Sequence, residues 1–170
     1  MRLFTRRGRA HHDRFPRLNA ELGELPAGTV LDGELVCLER LDGNRVRCRF
    51  DRLSGFMAGR APHRPSRGLT VTLIAFDALA VAGVDQRTRP WEERRPQLER
   101  LLAGADGPLR LTPVLTCEQV LHDALIAAGW EGTVAKRQAG RYVCGRRSSA
   151  WLKVKSPAAR DRDRRRVVGT

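Results

Sequence analysis

Four short patterns in this sequence supply the side chains that a nucleotide site requires. "LDGELV" (31–36) carries two acids, "LIAFDAL" (73–79) an aromatic ring, "EGTVAKR" (131–137) a third acid and "WLKVK" (151–155) two lysines. An aromatic ring can stack on a base, carboxylates can bind ribose hydroxyls or a divalent metal, and ammonium groups can stabilise the charge on a phosphate. Neither a P-loop nor a GxGxxG motif is present. The patterns therefore predict another type of nucleotide site, one that handles an α-phosphate.

The lysines stand out because the chain otherwise uses arginine for positive charge. Of its 32 Lys and Arg residues, 29 are Arg and only three are Lys. All three, Lys136, Lys153 and Lys155, lie within one span of 20 residues. A lysine kept in such a background indicates a need for a compact ammonium rather than a guanidinium fork.

Strand spacing groups the acids and the lysines in pairs. Asp32 and Glu34 lie two residues apart, as do Lys153 and Lys155, and residues two apart on a strand share a face. Each pattern alone also has a purely structural interpretation, with the charged residues solvated and Phe76 in the core. The occurrence of all four patterns in one chain favours a site.

The elements that must position these residues are paired strands with helices between them. "TVLDGELVCLE" and "NRVRCRF" alternate around Asp42-Gly43, which predicts a β-hairpin, and "LTVTLIAFDALAV" predicts a buried strand. We further predict helices at 13–25, 51–59, 89–104 and 117–129, the end of a strand at 1–6, and strands at 109–116, 132–138 and 150–156. This order predicts an α+β fold with mixed or antiparallel sheets rather than a regular βαβ winding.

Composition limits the class of protein and of partner. The chain has 170 residues, enough for one domain, and its net charge of +13 indicates nucleic acid before membrane as a partner. The alternative that the surface is basic without binding such a partner stays open. No apolar run approaches the ~18 residues that span a bilayer, and no apolar signal segment is present, so we expect a cytoplasmic protein. The four cysteines form no CxxC pair and are expected to be free, mostly buried thiols.

Taken in this order and spacing, the patterns resemble the adenylation domain of ATP-dependent DNA ligases of the bacterial end-joining and repair type. "RLFTRRGR" resembles the second motif of this nucleotidyltransferase family, and "LDGELV", "FDAL", "EGTVAKR" and "WLKVK" resemble the next four. The resemblance implies a two-sheet α+β domain with helices packed outside and ATP between the sheets. It assigns residues 1–156 to part of an adenylation domain and 157–170 to a basic linker and the start of an OB-fold.

The resemblance also implies roles for the acids and the aromatic residue. Glu34 contacts the ribose, with Asp32 beside it in the same motif, and Phe76 stacks on adenine. Glu131 assists catalysis through a metal ion, for which Asp32 is the second expected ligand. The implied cofactors are ATP and Mg²⁺ or Mn²⁺.

Basic residues complete the implied site. Lys153 and Lys155 hold the α-phosphate, so they are both catalytic and cofactor-binding residues, and Arg6 engages the nucleotide or a DNA phosphate. The implied partner is nicked double-stranded DNA. We expect a monomer that does not bind membranes.

One departure from the family concerns the nucleophile. The family forms a lysyl–AMP on a lysine in the pattern Lys-x-Asp-Gly, but here residue 30 is Val and residue 40 is Arg, and no lysine precedes Lys136. Arginine stays protonated and cannot replace that lysine. The resemblance also implies that the first strands of the domain and the following OB-fold are missing.

Three interpretations remain open at this point. The chain is a truncated ligase, either a gene fragment or the product of a misplaced start codon, and is not competent for self-adenylylation. Alternatively it is a partial enzyme active only on pre-adenylylated DNA, with a separate chain supplying the missing parts. The third interpretation is a non-catalytic DNA-binding module that uses the basic surface.

Overall fold

The computed structural model describes residues 2–11, 14–41, 46–49, 52–53, 57, 68–115, 118–146 and 148–161. Within these ranges it contains three long helices and two sheets, which confirms the predicted α+β fold. In chain order the elements are α1 (Pro16–Gly23), β1 (Val30–Arg40), β2 (Val46–Cys48), β3 (Leu69–Val81), β4 (Val84–Asp85), α2 (Trp91–Leu101), β5 (Leu109–Leu111), α3 (Gln119–Ala127), β6 (Gly132–Lys136) and β7 (Trp151–Lys155).

The large sheet is built around the β1–β3 pair. β2, β1, β3 and β4 are antiparallel neighbours in that order, and β5 pairs in parallel with β3. The β1–β3 ladder is long, running from Val30 opposite Ala80 to Glu39 opposite Leu69. Both strands are rich in aliphatic and β-branched residues, which pack well on a pleated, buried surface.

A bulge interrupts the β1–β3 ladder at Phe76. Asp32 pairs with Asp77 and Gly33 pairs with Ala75, so Phe76 has no partner in the register. An extra residue of this kind bends the strand and redirects its own side chain. The bulge therefore lies beside the predicted acids of β1.

Gly33 explains why Asp-Gly occurs within a strand rather than at a turn. A Cβ at this position would lie 2.8 Å from the Ile74 carbonyl oxygen and 2.9 Å from Leu73 Cδ1. Real Cβ atoms do not approach backbone oxygens so closely, so the site requires glycine. Asp32 and Glu34, on either side, project from the opposite face of β1.

The main core lies between the large sheet and the first two helices. α1 has Pro16 at its first position, where a fixed φ suits a helix, and buries Leu18. α2 has Glu92 and Glu93 in its first turn, where the helix dipole favours acids, and buries Leu98. The buried cluster comprises Phe15, Leu18, Cys37, Leu53, Val71, Leu73, Ala75, Ala78, Leu98, Leu102 and Leu109.

The small sheet is the antiparallel pair β6–β7. Gly132 lies opposite Lys155, and Lys136 lies opposite Trp151. Three apolar side chains on its strands remain strongly exposed: Val134 at 46%, Leu152 at 60% and Val154 at 45%. This sheet is thus much less enclosed than the large one.

Several predicted elements are shorter than expected. The predicted helix at 13–25 is formed only over Pro16–Gly23, and the predicted strand at 109–116 only over Leu109–Leu111, where Pro113 cannot continue a ladder. The prediction of a strand at the N-terminus is wrong, because Phe4 and Ala10 form only a single bridge, which closes a small hairpin. The predicted β3 matches the observed strand at both ends.

Other predictions fall wholly or partly outside the described residues. The turn at Asp42-Gly43 and most of 51–59 are among them, although β1 and β2 pair antiparallel as a hairpin requires. The predicted linker begins with a helical turn at 157–161, and 162–170 is not described. Among the described cysteines Cys37 and Cys48 are buried, but Cys144 is exposed. No helix in the described ranges is long and apolar enough to cross a membrane.

Candidate functional site

The acids of β1 face the small sheet. The Tyr142 hydroxyl donates a 2.6 Å hydrogen bond to Asp32 Oδ2. Burial is the main cause that raises the pKa of Asp32, and nearby Asp77 raises it further, while the Tyr142 hydrogen bond and Lys136 oppose the shift. Burial and the nearby Asp32 carboxylate also raise the pKa of Tyr142 well above its usual range. Asp32 is therefore held in one orientation.

Glu34 lies at the other end of the acid pair, close to the lysines of β7. Desolvation raises the pKa of Glu34 above its usual value, and the Glu131 carboxylate raises it further. Lys153 and Lys155 oppose this shift through their charges. The side chain itself keeps contact with solvent. Glu34 is thus a solvent-accessible carboxylate with both positive and negative side chains nearby.

The Phe76 ring is part of an aromatic cluster between the sheets. It meets the Trp151 ring edge to face, with centroids 5.7 Å apart, and Trp151 meets Tyr142 in the same way at 5.5 Å. Such T-shaped pairs are favourable because the positive edge of one ring faces the negative face of the other. The cluster joins β3 of the large sheet to β7 of the small sheet.

Lys136 projects from β6 into this cluster. Its Nζ donates a 2.7 Å hydrogen bond to the Phe76 carbonyl and lies 3.7 Å from Asp77 Oδ2. Burial lowers the pKa of Lys136 to about 8, even though the Asp77 and Asp32 carboxylates favour its charged form. A buried ammonium of this kind is held by specific partners.

A buried ion pair stands behind the cluster. Arg94 of α2 binds Asp77 in a bidentate arrangement, with Nε–Oδ1 at 2.8 Å and Nη2–Oδ2 at 2.9 Å. Arg94 also donates to the carbonyls of Arg89 and Gly140. Both charged side chains are at most 1% exposed. The pair fixes α2 and the 137–142 loop to β3.

The catalytic acid and the β7 lysine predicted from sequence meet directly. Lys153 Nζ lies 3.3 Å from Glu131 Oε2, and the two side chains are 39% and 21% exposed. Lys155 is close enough to Glu34 to affect its pKa. Four separate segments of the chain thus bring carboxylates, aromatic rings and ammonium groups together in one region between the sheets, which we call the cleft.

Comparison with known proteins identifies the family in which this arrangement occurs. Residues 1–155 match the family described as the ATP dependent DNA ligase domain. The chain belongs to this family. It is 35% identical to a probable DNA ligase of Streptomyces avermitilis over 91% of its own length and 31% of that protein. It is 34% identical to the multifunctional non-homologous end joining protein LigD of Pseudomonas aeruginosa, over 91% of its length and 18% of that protein.

Solved structures of the DNA ligase family have the same fold. The ligase domain of M. tuberculosis LigD matches with a TM-score of 0.65 and 33% identity, over 91% of this chain and 46% of that one. A mycobacterial DNA ligase D complexed with ATP and MES matches with a TM-score of 0.67 and 32% identity, over 91% and 47% of the two chains. This ligase-family chain spans about a third of the length of two curated probable DNA ligases from Streptomyces that it matches over 91% of its own length.

Not every predicted residue of the DNA ligase pattern joins the cleft. Arg6 lies exposed at the tip of the N-terminal hairpin, where Thr5 and Arg9 pair through their backbones. Asp32 and Glu131, the expected metal ligands, belong to different parts of the cleft: the first is bonded to Tyr142 and the second to Lys153. Over the described ranges, no group of three or more His, Cys, Asp or Glu side chains is arranged to hold a metal ion.

Sequence reasoning missed three contributors to this ligase-family site. Asp77 carried a signal, because an acid within a 13-residue apolar strand must find a buried partner. Tyr142 is the chain's single tyrosine, but nothing in its local sequence indicates the bond to Asp32. Arg94 resembles the other arginines of an exposed helix, and only the packing of α2 against β3 reveals its role.

Proposed function

We propose that this chain provides the nucleotide-binding and phosphate-handling part of an ATP-dependent DNA ligase. The observation that carries the proposal is the cleft between the sheets, which gathers Asp32, Glu34, Phe76, Glu131 and Lys153 from positions up to 121 residues apart. These are the residue types expected for ribose, base and α-phosphate. Membership of the ligase family supports ATP as the nucleotide.

In this proposal each side of the cleft recognises one part of ATP. The Phe76 ring stacks on adenine, since every base offers a π face to an aromatic side chain. Glu34 accepts hydrogen bonds from the ribose hydroxyls, for which its solvent-accessible carboxylate is suited. Lys153 and Lys155 neutralise the charge that develops on the α-phosphate during AMP transfer.

A divalent cation fits the outer end of this cleft. Mg²⁺ usually binds one or two carboxylates together with substrate phosphates, and Glu34 and Glu131 are close enough for one to raise the pKa of the other. These two acids would hold the metal, which would supply further charge neutralisation at the phosphate. Asp32 fits less well than expected, because its Oδ2 is bonded to Tyr142.

The sealing step of the ligase reaction starts after AMP has passed from the lysine to the DNA. In nick sealing, the 3′-hydroxyl attacks the adenylylated 5′-phosphate, a P–O bond forms, and AMP leaves. Lys153 and Lys155 can neutralise charge in that step, whereas the lysine that would carry AMP is not among the three lysines of this sequence. We propose nicked duplex DNA as the substrate on which Lys153 and Lys155 act in this step.

Equilibrium ATP binding tests the proposal. Phe76→Leu removes the ring while keeping an apolar side chain, and we expect a loss of affinity of about 10-fold, because base stacking contributes roughly 1–3 kcal/mol. Phe76→Tyr keeps the stacking face and should bind nearly as well as the wild type. Lys153→Ala should weaken binding, whereas Arg100→Ala, which removes an exposed charge of the same sign from α2, should not.

Two results would contradict the nucleotide-site proposal. One is wild-type protein that is folded but does not bind ATP. The other is Phe76→Leu and Lys153→Ala proteins that bind it normally. Salt-dependent duplex binding in the absence of ATP binding would instead support a DNA-binding module. Incubation with pre-adenylylated nicked DNA and Mg²⁺ then tests the sealing step by itself.

A further inference from the structure

The ammonium group of Lys136 lies in an aromatic cage. Its Nζ is 4.0 Å from the centroid of the Trp151 ring, 4.7 Å from that of Phe76 and 6.0 Å from that of Trp91. The side chain is only 10% exposed. A desolvated cation over aromatic faces is attracted to them more strongly than one at the surface.

The same ammonium also holds the backbone beneath the Phe76 ring. Phe76 is the bulged residue that pairs with nothing in the β1–β3 register, and its carbonyl accepts the 2.7 Å hydrogen bond from Lys136. One atom of β6 thus restrains Phe76 twice, through its carbonyl and through its ring. The ammonium lies over one face of the ring and limits how the ring can turn.

An ordinary ion pair does not account for this arrangement. Arg94 already binds both carboxylate oxygens of Asp77 at 2.8 and 2.9 Å, whereas Lys136 is 3.7 Å from the nearer one. Burial also disfavours the charged form of Lys136. An apolar side chain at this position would fill the cage without that cost, so the charge has a use other than stability.

We propose that Lys136 is a positioning residue for the nucleotide base, and that its ammonium holds the Phe76 ring in the orientation on which adenine stacks. This inference rests on the proposed function, because it assigns to Lys136 the support of the same site. Lys136 acts through Phe76, so its loss should weaken nucleotide binding as the loss of the Phe76 ring does.

ATP affinity of Lys136→Met, which keeps the length of the side chain without its charge, tests this role. At pH 7 we expect it to bind ATP about 10-fold more weakly than the wild type, while Arg137→Met, which removes an exposed charge from the next position, should bind normally. Wild-type affinity should fall as the pH rises from 7 to 9, through the folded-state pKa of Lys136, and that of Lys136→Met should not. The charged groups that act on Lys136 are Asp77, Asp32, Arg94 and Arg95, and the variant retains all of them.

The pH profile separates positioning from a structural role. The folded-state pKa of Lys136 is about 8 against 10.5 for a free lysine, so between these values the unfolded chain binds the proton more and folding stability rises with pH. If Lys136 has only a structural role, the folded protein becomes more stable at high pH and ATP binding does not weaken. Positioning by the charge predicts that ATP binding becomes weaker there.

Fluorescence distinguishes failure of this inference from failure of the proposed function. In a Trp91→Phe, Trp130→Phe protein, Trp151 is the remaining tryptophan, and Lys136→Met should change its emission without nucleotide present, whereas Arg137→Met should not. A wild type that binds no ATP overturns the proposed function and this inference with it. ATP binding by folded Lys136→Met within 2-fold of the wild type, or with the wild-type pH dependence, overturns this inference alone. If Lys136→Met does not unfold cooperatively, the wild type alone decides: an ATP affinity that does not change with pH overturns this inference.

Discussion

The large sheet and the β6–β7 pair both contribute to the cleft, yet they differ in how they are held. The large sheet is covered by α1 and α2. The core between them buries Leu73 of β3 and Leu98 of α2, which are 7% and 0% exposed. The small sheet leaves Leu152 60% exposed and has only two strands, and an isolated two-stranded sheet is marginally stable. Asp32 and Glu34 thus lie on the enclosed sheet, whereas the three lysines and Glu131 lie on or beside the more exposed one.

The two sheets also fix their candidate site residues in different ways. Asp77, Phe76 and Asp32 are set by the β1–β3 ladder, whose apolar core holds them in place. Lys136 is set by its contact across the cleft with the Phe76 carbonyl, and Lys153 by its pair with Glu131, which directly precedes β6. We therefore expect substitutions in the large sheet to lower stability, and substitutions in the small sheet to lower nucleotide affinity more than stability.

The largest expected effect comes from the buried ion pair. Asp77→Ala leaves the fully buried Arg94 without its carboxylate, and we expect it to lower the free energy of unfolding by about 3–5 kcal/mol. Asp85→Ala is a matched control, because Asp85 makes a similar pair with Arg87 at 2.7 Å with both side chains about half exposed. It should change stability little. Urea denaturation measures both, and equal losses would contradict the contrast.

Two leucine truncations compare the core that α2 forms with the large sheet and the exposed surface of the small sheet. Leu98→Ala removes a side chain with no exposure, and we expect a loss of about 2–5 kcal/mol from burial and the cavity left behind. Leu152→Ala, on the exposed side of β7, should cost less than about 0.5 kcal/mol. Thermal unfolding provides the measurement. A large loss for Leu152→Ala would show that the small sheet is enclosed after all.

A smaller effect on stability is expected from Gly132→Ala. Gly132 has φ +152°, and a Cβ there would clash with the Val154 carbonyl across β6–β7. We expect a cost of about 1–3 kcal/mol from strain, together with a clear fall in ATP affinity because β7 must move. Gly83→Ala has a positive φ of +82° without such a clash, so it should leave affinity unchanged. Similar affinities for the two variants would contradict the role given to β6–β7.

The smallest expected effect is the pH dependence contributed by Glu34. Its pKa is raised in the folded protein, so the folded state binds the proton more tightly, and this contribution to stability is lost as the pH rises through the folded pKa. Glu34→Gln should therefore raise the melting temperature at pH 7 and leave it unchanged near pH 3.5. The gain should be small because Glu34 is solvent-accessible. A lower melting temperature at pH 7 would contradict the direction of the shift.

Strand pattern and residue type were enough to predict much of the fold and to name candidate site residues, whose roles stay predictions. The 13-residue β3 was predicted at both ends because an apolar run of this length has few alternatives. Asp32, Glu34, Phe76 and Lys153 were identified from short motifs in which the residue type itself suggests the chemistry. The shorter elements were overpredicted at their ends, where local pattern is weakest.

By itself, the sequence determined which groups are available: two acids on one face of a strand, one aromatic ring in a buried run, and three lysines in an arginine-rich chain. Only the tertiary structure decided which of them meet. The bulge at Phe76, the Arg94–Asp77 pair and the insertion of Lys136 between aromatic rings join residues 17 to 60 positions apart. Such contacts depend on how β1, α2 and the small sheet each pack against β3, because register and packing are set by the whole buried surface rather than by any single motif.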